Sequence, residues 1–284
     1  MRVSLIDIGS NTIRLVIYED GREILNVANH ANLISAVRNG EMSVEGLSKL
    51  VSCLKEMKSK IKEYKCEDIY AFATASLRDI SDKESLCNCV KELTGIEMNI
   101  ISGEEEAIYD YLGLKKVHGE ESGMAFDLGG GSCQIIVYEN GEVKGHKSLK
   151  IGSLKLYGDF VSGLLPDEEE KKKIAAHVKE QLSCLEYAKN AGCEKIYAMG
   201  GAAYALMQLS EKYFAGEKLS VNTLEKITEL SESEILAVCP KRLKTVIPAA
   251  VTVIEILKFS ESSYLYPTTA GVRDGIYISK YKNA

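Results

Sequence analysis

Along the first twenty positions, the apolar run Val3-Ser4-Leu5-Ile6 meets a polar interruption, Asp7-Ile8-Gly9-Ser10-Asn11-Thr12. It resumes as Ile13-Arg14-Leu15-Val16-Ile17-Tyr18 and reaches Glu19-Asp20-Gly21. Two β-branched runs around short polar bends predict a β-hairpin whose first bend is a polar loop, and Arg22 to Asn29 would extend its sheet. From Ser43 the spacing becomes helical, with Val44, Leu47, Leu50, Val51, Leu54, Met57 and Ile61 on one face. A strand follows from Ile69 to Thr74. Ser81-Asp82-Lys83-Glu84 has capping-box spacing and opens a helix that Gly95 closes. A short strand, Ile96 to Ile101, leads into a helix from Ser102 to Leu112. The remaining order is a second hairpin from Met124, a strand entering a helix between Ser148 and Phe160, and a long helix opened by Pro166 and buried along Ile174, Val178, Leu182 and Leu185. Then come a strand at Lys195–Met199, helices at Thr223–Ala237 and Ala249–Lys258, a strand at Ser263–Tyr266 and a final short helix. Alternating strands and helices, with a hairpin opening each half, predict an α/β fold with mixed sheets.

The hairpin sentence is written twice. A shift of 120 positions lays Leu5-Ile-Asp7-Ile-Gly9-Ser10-Asn11-Thr12 over Ala125-Phe-Asp127-Leu-Gly129-Gly130-Gly131-Ser132 without a gap, and the register persists through Tyr18/Tyr138, Glu19/Glu139 and Gly21/Gly141. Two homologous halves follow from that match. The polar stretch from Lys115 to Ser122 places the boundary between them at residue 120, giving domains 1–120 and 121–284.

The repeat gives the loops a chemical meaning. Each offers backbone N–H groups and hydroxyls of the kind that cradle phosphate oxygens, and each is entered by a strand carrying an Asp suited to a hard cation. A single Asp-x-Gly is an ordinary turn, whereas two in register make a phosphate-and-magnesium clamp. Arg78 lies just past a strand end, where open α/β sheets place ligands, although an ion pair with Asp79 accounts for it equally. Glu104, Glu105 and Glu106 open a helix, where acidic residues complement the helix dipole; one of them facing a cleft could orient or deprotonate a water. The pattern does not say which. Gly200-Gly201 allows either a close ligand approach or a tight strand-helix crossing.

At 284 residues and a net charge of −6 with both signs interspersed, the composition gives no support to a nucleic-acid or membrane-surface role. No run of 18 apolar residues occurs and Met1-Arg2 leads into a strand, so a cytoplasmic protein is expected. The eight cysteines are scattered through periodic segments and the four histidines lack ligand spacing, which argues for reduced thiols and no zinc site.

With these motifs assembled, the chain resembles the exopolyphosphatase/guanosine pentaphosphate phosphatase (Ppx/GppA) family of the actin, sugar kinase and Hsp70 superfamily. The resemblance rests on Ile6-Asp7-Ile-Gly9-Ser10-Asn11-Thr12-Ile-Arg14-Leu15, Ala73-Thr74-Ala75-Ser76-Leu77-Arg78-Asp79, Ser102-Gly103-Glu104-Glu105-Glu106-Ala107, Asp127-Leu-Gly129-Gly130-Gly131-Ser132, Gly200-Gly201 and Gly271-Val-Arg273-Asp274-Gly275, in that order. It implies two ribonuclease-H-like (actin-like ATPase) domains with an active site in the cleft between them, and Mg²⁺-dependent release of a terminal phosphate from polyphosphate or guanosine pentaphosphate. By the same resemblance Glu106 is the water-activating base, with Glu105 in reserve, and Asp7 and Asp127 hold the metal. Ser10, Asn11, Thr12, Arg14, Arg78, Gly129, Gly130, Gly131 and Ser132 then bind phosphate.

The chain departs from the family pattern at Thr12, Asp82, Cys133, Ala202, Lys244 and Ala249. Competing readings are a non-hydrolysing sensor of polyphosphate or a guanosine alarmone, and an ATP-dependent kinase or ATPase of the same superfamily. The sequence does not choose between polyphosphate and guanosine pentaphosphate. It also fixes no oligomeric state, and a homodimer is retained as one option.

Overall fold

A computed structural model describes residues 1–119 and 121–282 and divides the described chain into two compact units, Met1–Glu106 with residues 279–282, and Ala107–Ile278. The first unit contains β1 (Arg2–Ile8), β2 (Thr12–Glu19), β3 (Arg22–His30), a two-residue ribbon of β4 (Val37–Arg38) and β5 (Glu41–Met42), α1 (Val44–Glu63), β6 (Asp68–Ala73), α2 (Ala75–Arg78), α3 (Lys83–Thr94) and β7 (Met98–Ile100). The helix α4 (Gly103–His118) begins in it and continues into the second unit. There follow β8 (Gly123–Leu128), β9 (Cys133–Glu139), β10 (Glu142–Leu149), α5 (Ser153–Phe160), α6 (Glu168–Leu182), β11 (Lys195–Met199), α7 (Gly201–Tyr213), α8 (Val221–Thr228), α9 (Glu232–Val238), α10 (Val246–Ser260), β12 (Tyr264–Pro267) and α11 (Val272–Tyr277). The sequence boundary at 120 follows α4, whereas the compact units divide inside that helix.

The sequence repeat is a repeat of topology. The sheets run β3-β2-β1-β6-β7 and β10-β9-β8-β11-β12. In each, three antiparallel strands joined by hairpins are followed by parallel strands reached through helical crossovers. The hairpin register is also the same in both: Asp7 faces Arg14, and Asp127 faces Gln134, each 120 positions on.

Alternation fixes which side chains are buried. Ile6, Ile8, Ile13, Leu15 and Ile17 pack with Leu50, Leu54, Met57 and Ile61 of α1 and Leu86 and Val90 of α3. Val44, assigned by periodicity to that face, is instead exposed in the first turn of α1. In the second unit Phe126, Ile135 and Ile196 join α6, α7 and α10 in one core, while Ala125, Ile136, Tyr138 and Tyr197 pack against Ala107, Tyr111 and Leu114 of α4. α10 is buried almost throughout, which explains its nearly unbroken apolar sequence.

Three helix starts differ from the sequence reading. Asp82, not Ser81, caps α3 by accepting from Ser85 N. Pro166 lies before α6, whose cap is Asp167 in a reciprocal capping box with Glu170. The span 223–237 is two helices, because Ser231 and Glu234 form a second capping box that starts α9. No helix among the described residues is long and apolar enough to cross a membrane.

Glu170 accepts from Ser162 N (2.9 Å), Ser162 Oγ (2.7 Å) and Asp167 N (3.1 Å). Those donors, the Ser162 amide foremost, hold its carboxyl below the usual glutamate range. A depressed native value adds stability above the unfolded pKa and loses it as pH falls through the native one. Glu170→Gln is therefore expected to lower the denaturation midpoint at pH 7, with the difference from wild type shrinking below about pH 4. Equal destabilisation at pH 7 and pH 3 would contradict this.

Candidate active site

The two polar loops are built by the same backbone bonds. Gly9 N donates to Thr12 O and Gly129 N to Ser132 O, both at 3.0 Å. The loop carbonyls are taken by segments that come later in the chain. Ser10 O accepts from Ile34 N, and Asn11 O from Ala31 N and Asn32 N. Gly129 O accepts from Ser153 N, and Gly130 O from Leu154 N and Lys155 N. With the carbonyls tied back, the N–H groups of Ser10, Asn11, Gly130 and Gly131 take no backbone carbonyl among the described residues. Successive amides of this kind form an anion-binding concavity. Ser10 and Ser132 add nearly buried hydroxyls.

Gly152 caps α5 directly against the second loop: a Cβ there would run into Gly130, Gly131 and Ser132 backbone. Only glycine permits that approach. Nothing in the local sequence around Gly152 announces the contact.

In the first unit the ends of β1, β6 and β7 lie on one sheet edge, with Thr74 N bonded to Ile8 O and Ile101 N to Ala73 O. That edge carries the first loop, Arg78 and the start of α4. Arg78 Nη1 donates to Glu106 Oε2 at 2.6 Å and to Ile101 O at 3.3 Å. The three glutamates are now separable. Glu105 accepts from Ser102 N at 2.8 Å while its own N–H donates to Ser102 Oγ at 3.0 Å, a capping box on an exposed side chain. Glu104 is exposed, whereas Glu106 is 6% exposed and paired with Arg78. Thr12 Oγ1 lies 3.3 Å from His30 Nδ1, and Arg14 Nη1 donates to Asn26 Oδ1.

In the second unit Asp127, at the end of β8, lies beside Gly200. That glycine has φ +93°, and a Cβ on it would come within 2.7 Å of Asp127 Oδ1. The next residue, Gly201, opens α7 with the Arg242 guanidinium lying over it. Burial pushes the Arg242 pKa below its ordinary value, and no carboxylate lies in salt-bridge reach of it among the described residues. The glycine pair thus serves both a strained turn and close side-chain approach. Arg242 was not among the sequence-predicted site residues, because its partner lies some forty positions away.

The Ppx/GppA phosphatase family profile matches residues 32–284. The chain belongs to that family. Among family structures, the Aquifex aeolicus PPX-GPPA enzyme superposes with a TM-score of 0.79 at 27% identity, covering 99% of both chains. An exopolyphosphatase from Cytophaga hutchinsonii has the same fold, with a TM-score of 0.87 at 21% identity over 98% of this chain and 97% of its own. Exopolyphosphatase 1 of Mycobacterium tuberculosis is 26% identical, over 64% of this chain and 54% of its own. A bifunctional 3-dehydroquinate synthase/phosphatase of Fusobacterium nucleatum is 27% identical, over 92% of this chain and 44% of its own. This Ppx/GppA chain spans about half the length of those curated relatives.

The donor chemistry fits a magnesium ion of one kind. No group of three or more His, Cys, Asp or Glu side chains forms a cage among the described residues. Mg²⁺ is commonly held by one or two carboxylates together with waters and substrate phosphates, and Asp7 and Asp127 are hard oxygen donors at strand ends. By contrast, the surface groove between α6, α8 and α10 has Lys171, Lys226 and Lys258 already paired with Glu229, Glu217 and Glu225. Those lysines are poorly placed to serve a polyanion.

Gly152→Ala should displace the 129–132 loop and cost about 1–3 kcal/mol, by analogy with overpacked cores. Gly158→Ala, in the same helix with nothing within 4 Å, should be neutral or stabilising by up to about 1 kcal/mol. Thermal denaturation of the two variants measures the difference; similar midpoints would mean that Gly152 does not hold the loop.

Proposed function

We propose that this Ppx/GppA chain hydrolyses the terminal phosphoanhydride of inorganic polyphosphate and releases orthophosphate in a magnesium-dependent reaction. The observation that carries the reading is the buried Arg78–Glu106 pair, on the same sheet edge as the first donor loop of its unit. The exopolyphosphatase relatives favour polyphosphate over guanosine pentaphosphate as the substrate.

Phosphoryl transfer asks the protein chiefly for positioning and charge neutralisation. The amides of Ser10, Asn11, Gly130 and Gly131, with the Ser10, Thr12 and Ser132 hydroxyls, bind phosphoryl oxygens. Arg14, Arg78 and Arg242 add positive charge, with guanidinium forks suited to phosphate. Asp7 and Asp127 would hold Mg²⁺, which when bound neutralises charge on the phosphoryl oxygens. Glu106 takes a proton from the attacking water. The water oxygen bonds to the terminal phosphorus, the anhydride P–O bond breaks, and the shortened chain leaves with the bond's electron pair. A multiply anionic substrate competes for Arg78, and drawing it onto a phosphoryl oxygen would release Glu106 to act as the base.

Phosphate release should be measured with polyphosphate, guanosine pentaphosphate and ATP in parallel. Glu106→Gln is expected to lower release from polyphosphate by about 10²–10⁴-fold while tripolyphosphate binding persists. Glu105→Gln should lose only capping stability. Equal rates for wild type and Glu106→Gln would remove Glu106 as the base. Binding without release by wild type would favour a sensor, and preferential turnover of ATP would favour the kinase or ATPase reading.

Chelation of divalent ions with EDTA should abolish release, and added Mg²⁺ should restore it. Full activity in EDTA would overturn the magnesium requirement.

A further inference from the structure

Gln134 lies on β9 between two neighbours in register, Asp127 of β8 on one side and Ser148 of β10 on the other. It is 1% exposed, and its Nε2 donates to Ser132 Oγ at 2.8 Å and to Ser148 Oγ at 3.0 Å. A side-chain amide has two N–H hydrogens, so one NH₂ group accounts for both bonds. Each hydroxyl is thereby an acceptor toward Gln134 and keeps its own hydrogen to donate elsewhere. Ser148 is half-buried rather than sealed in the core.

The other unit shows what this row replaces. The equivalent positions, 120 residues earlier, are Asp7, Arg14 and Ala28. Where the first unit places a cation beside a methyl group, the second places a neutral amide beside a hydroxyl.

We propose that Gln134 is a positioning residue that sets Ser132 and Ser148 as hydrogen-bond donors to phosphoryl oxygens, and that Ser148 is a further phosphate-binding residue of the second unit. This rests on the reading of the 129–132 loop as a phosphate site. The second unit then recognises phosphate through neutral donors in that row, so its contribution is geometric and less sensitive to salt than that of Arg14.

The test is calorimetric binding of tripolyphosphate to full-length wild type, Ser132→Ala, Ser148→Ala, Gln134→Leu and the double variant Gln134→Leu/Ser132→Ala, with KM and kcat for polyphosphate alongside. Ser148→Ala and Gln134→Leu should each weaken binding about tenfold, as expected for lost bonds to a charged group, with KM rising more than kcat falls. The double variant should bind no more weakly than the worse of its parents, because Gln134 acts through the hydroxyl. Ser148→Ala lies at a partly exposed strand end and keeps the test alive should Gln134→Leu fail to fold. Wild-type affinity in Ser148→Ala, or in folded Gln134→Leu while Ser132→Ala is weakened, would overturn this inference alone. Wild-type affinity in Ser132→Ala would overturn the phosphate reading of the loop as well.

Discussion

The tying back of loop carbonyls is the constraint on which both halves of this protein depend. A polypeptide that leaves a strand and reverses within four residues must satisfy carbonyls and amides alike. Here the carbonyls of residues 10, 11, 129 and 130 are bonded by amides from a later segment. The donors stay behind. The sheet topology makes this possible, because each opening hairpin leads to a third antiparallel strand, after which the chain returns to the loop. Gly152 marks how tight that return is. The amide donors that these loops present are thus a consequence of how backbone bonds are satisfied at strand ends.

Charge is distributed differently in the two units. The first places Arg14 opposite Asp7 and Arg78 against Glu106. The second has Asp127 opposite the amide of Gln134, with its cation, Arg242, on Gly201 at the start of α7. Desolvation of Arg242 without a carboxylate partner is costly in an isolated protein, and a bound anion would offset that cost. Two positions after this Arg stands Lys244, whose ammonium lies over the Tyr157 ring. Lys244 therefore adds a second cation close in sequence to Arg242.

The features legible in the sequence are those whose physical cause is local. Asp7, Gly9 and Gly21 recur in phase at Asp127, Gly129 and Gly141, so the paired hairpins and the α/β class follow from residue order. Which glutamate is buried was not legible, since Glu104, Glu105 and Glu106 are all compatible with a first helical turn. Their separation needs Ser102 on one side and Arg78, 28 residues away, on the other. The contacts of Arg242 with Gly201 and of Gly152 with the 130–132 backbone were not legible for the same reason. The break between α8 and α9 is a different kind of miss: the expected single helix over 223–237 is divided by the local capping box of Ser231 and Glu234. Periodicity misled at Val44, where a residue in phase with the apolar face stands clear of the core.

The central claim is that the amides freed by those tied carbonyls bind phosphate. It is tested most directly by following the amide resonances of Ser10, Asn11, Gly130 and Gly131 in selectively ¹⁵N-labelled protein during titration with magnesium tripolyphosphate. The account predicts saturable shifts at these four amides, while amides along the α6–α8–α10 groove stay in place. Saturation with those four unmoved, and shifts confined to the groove, would contradict it.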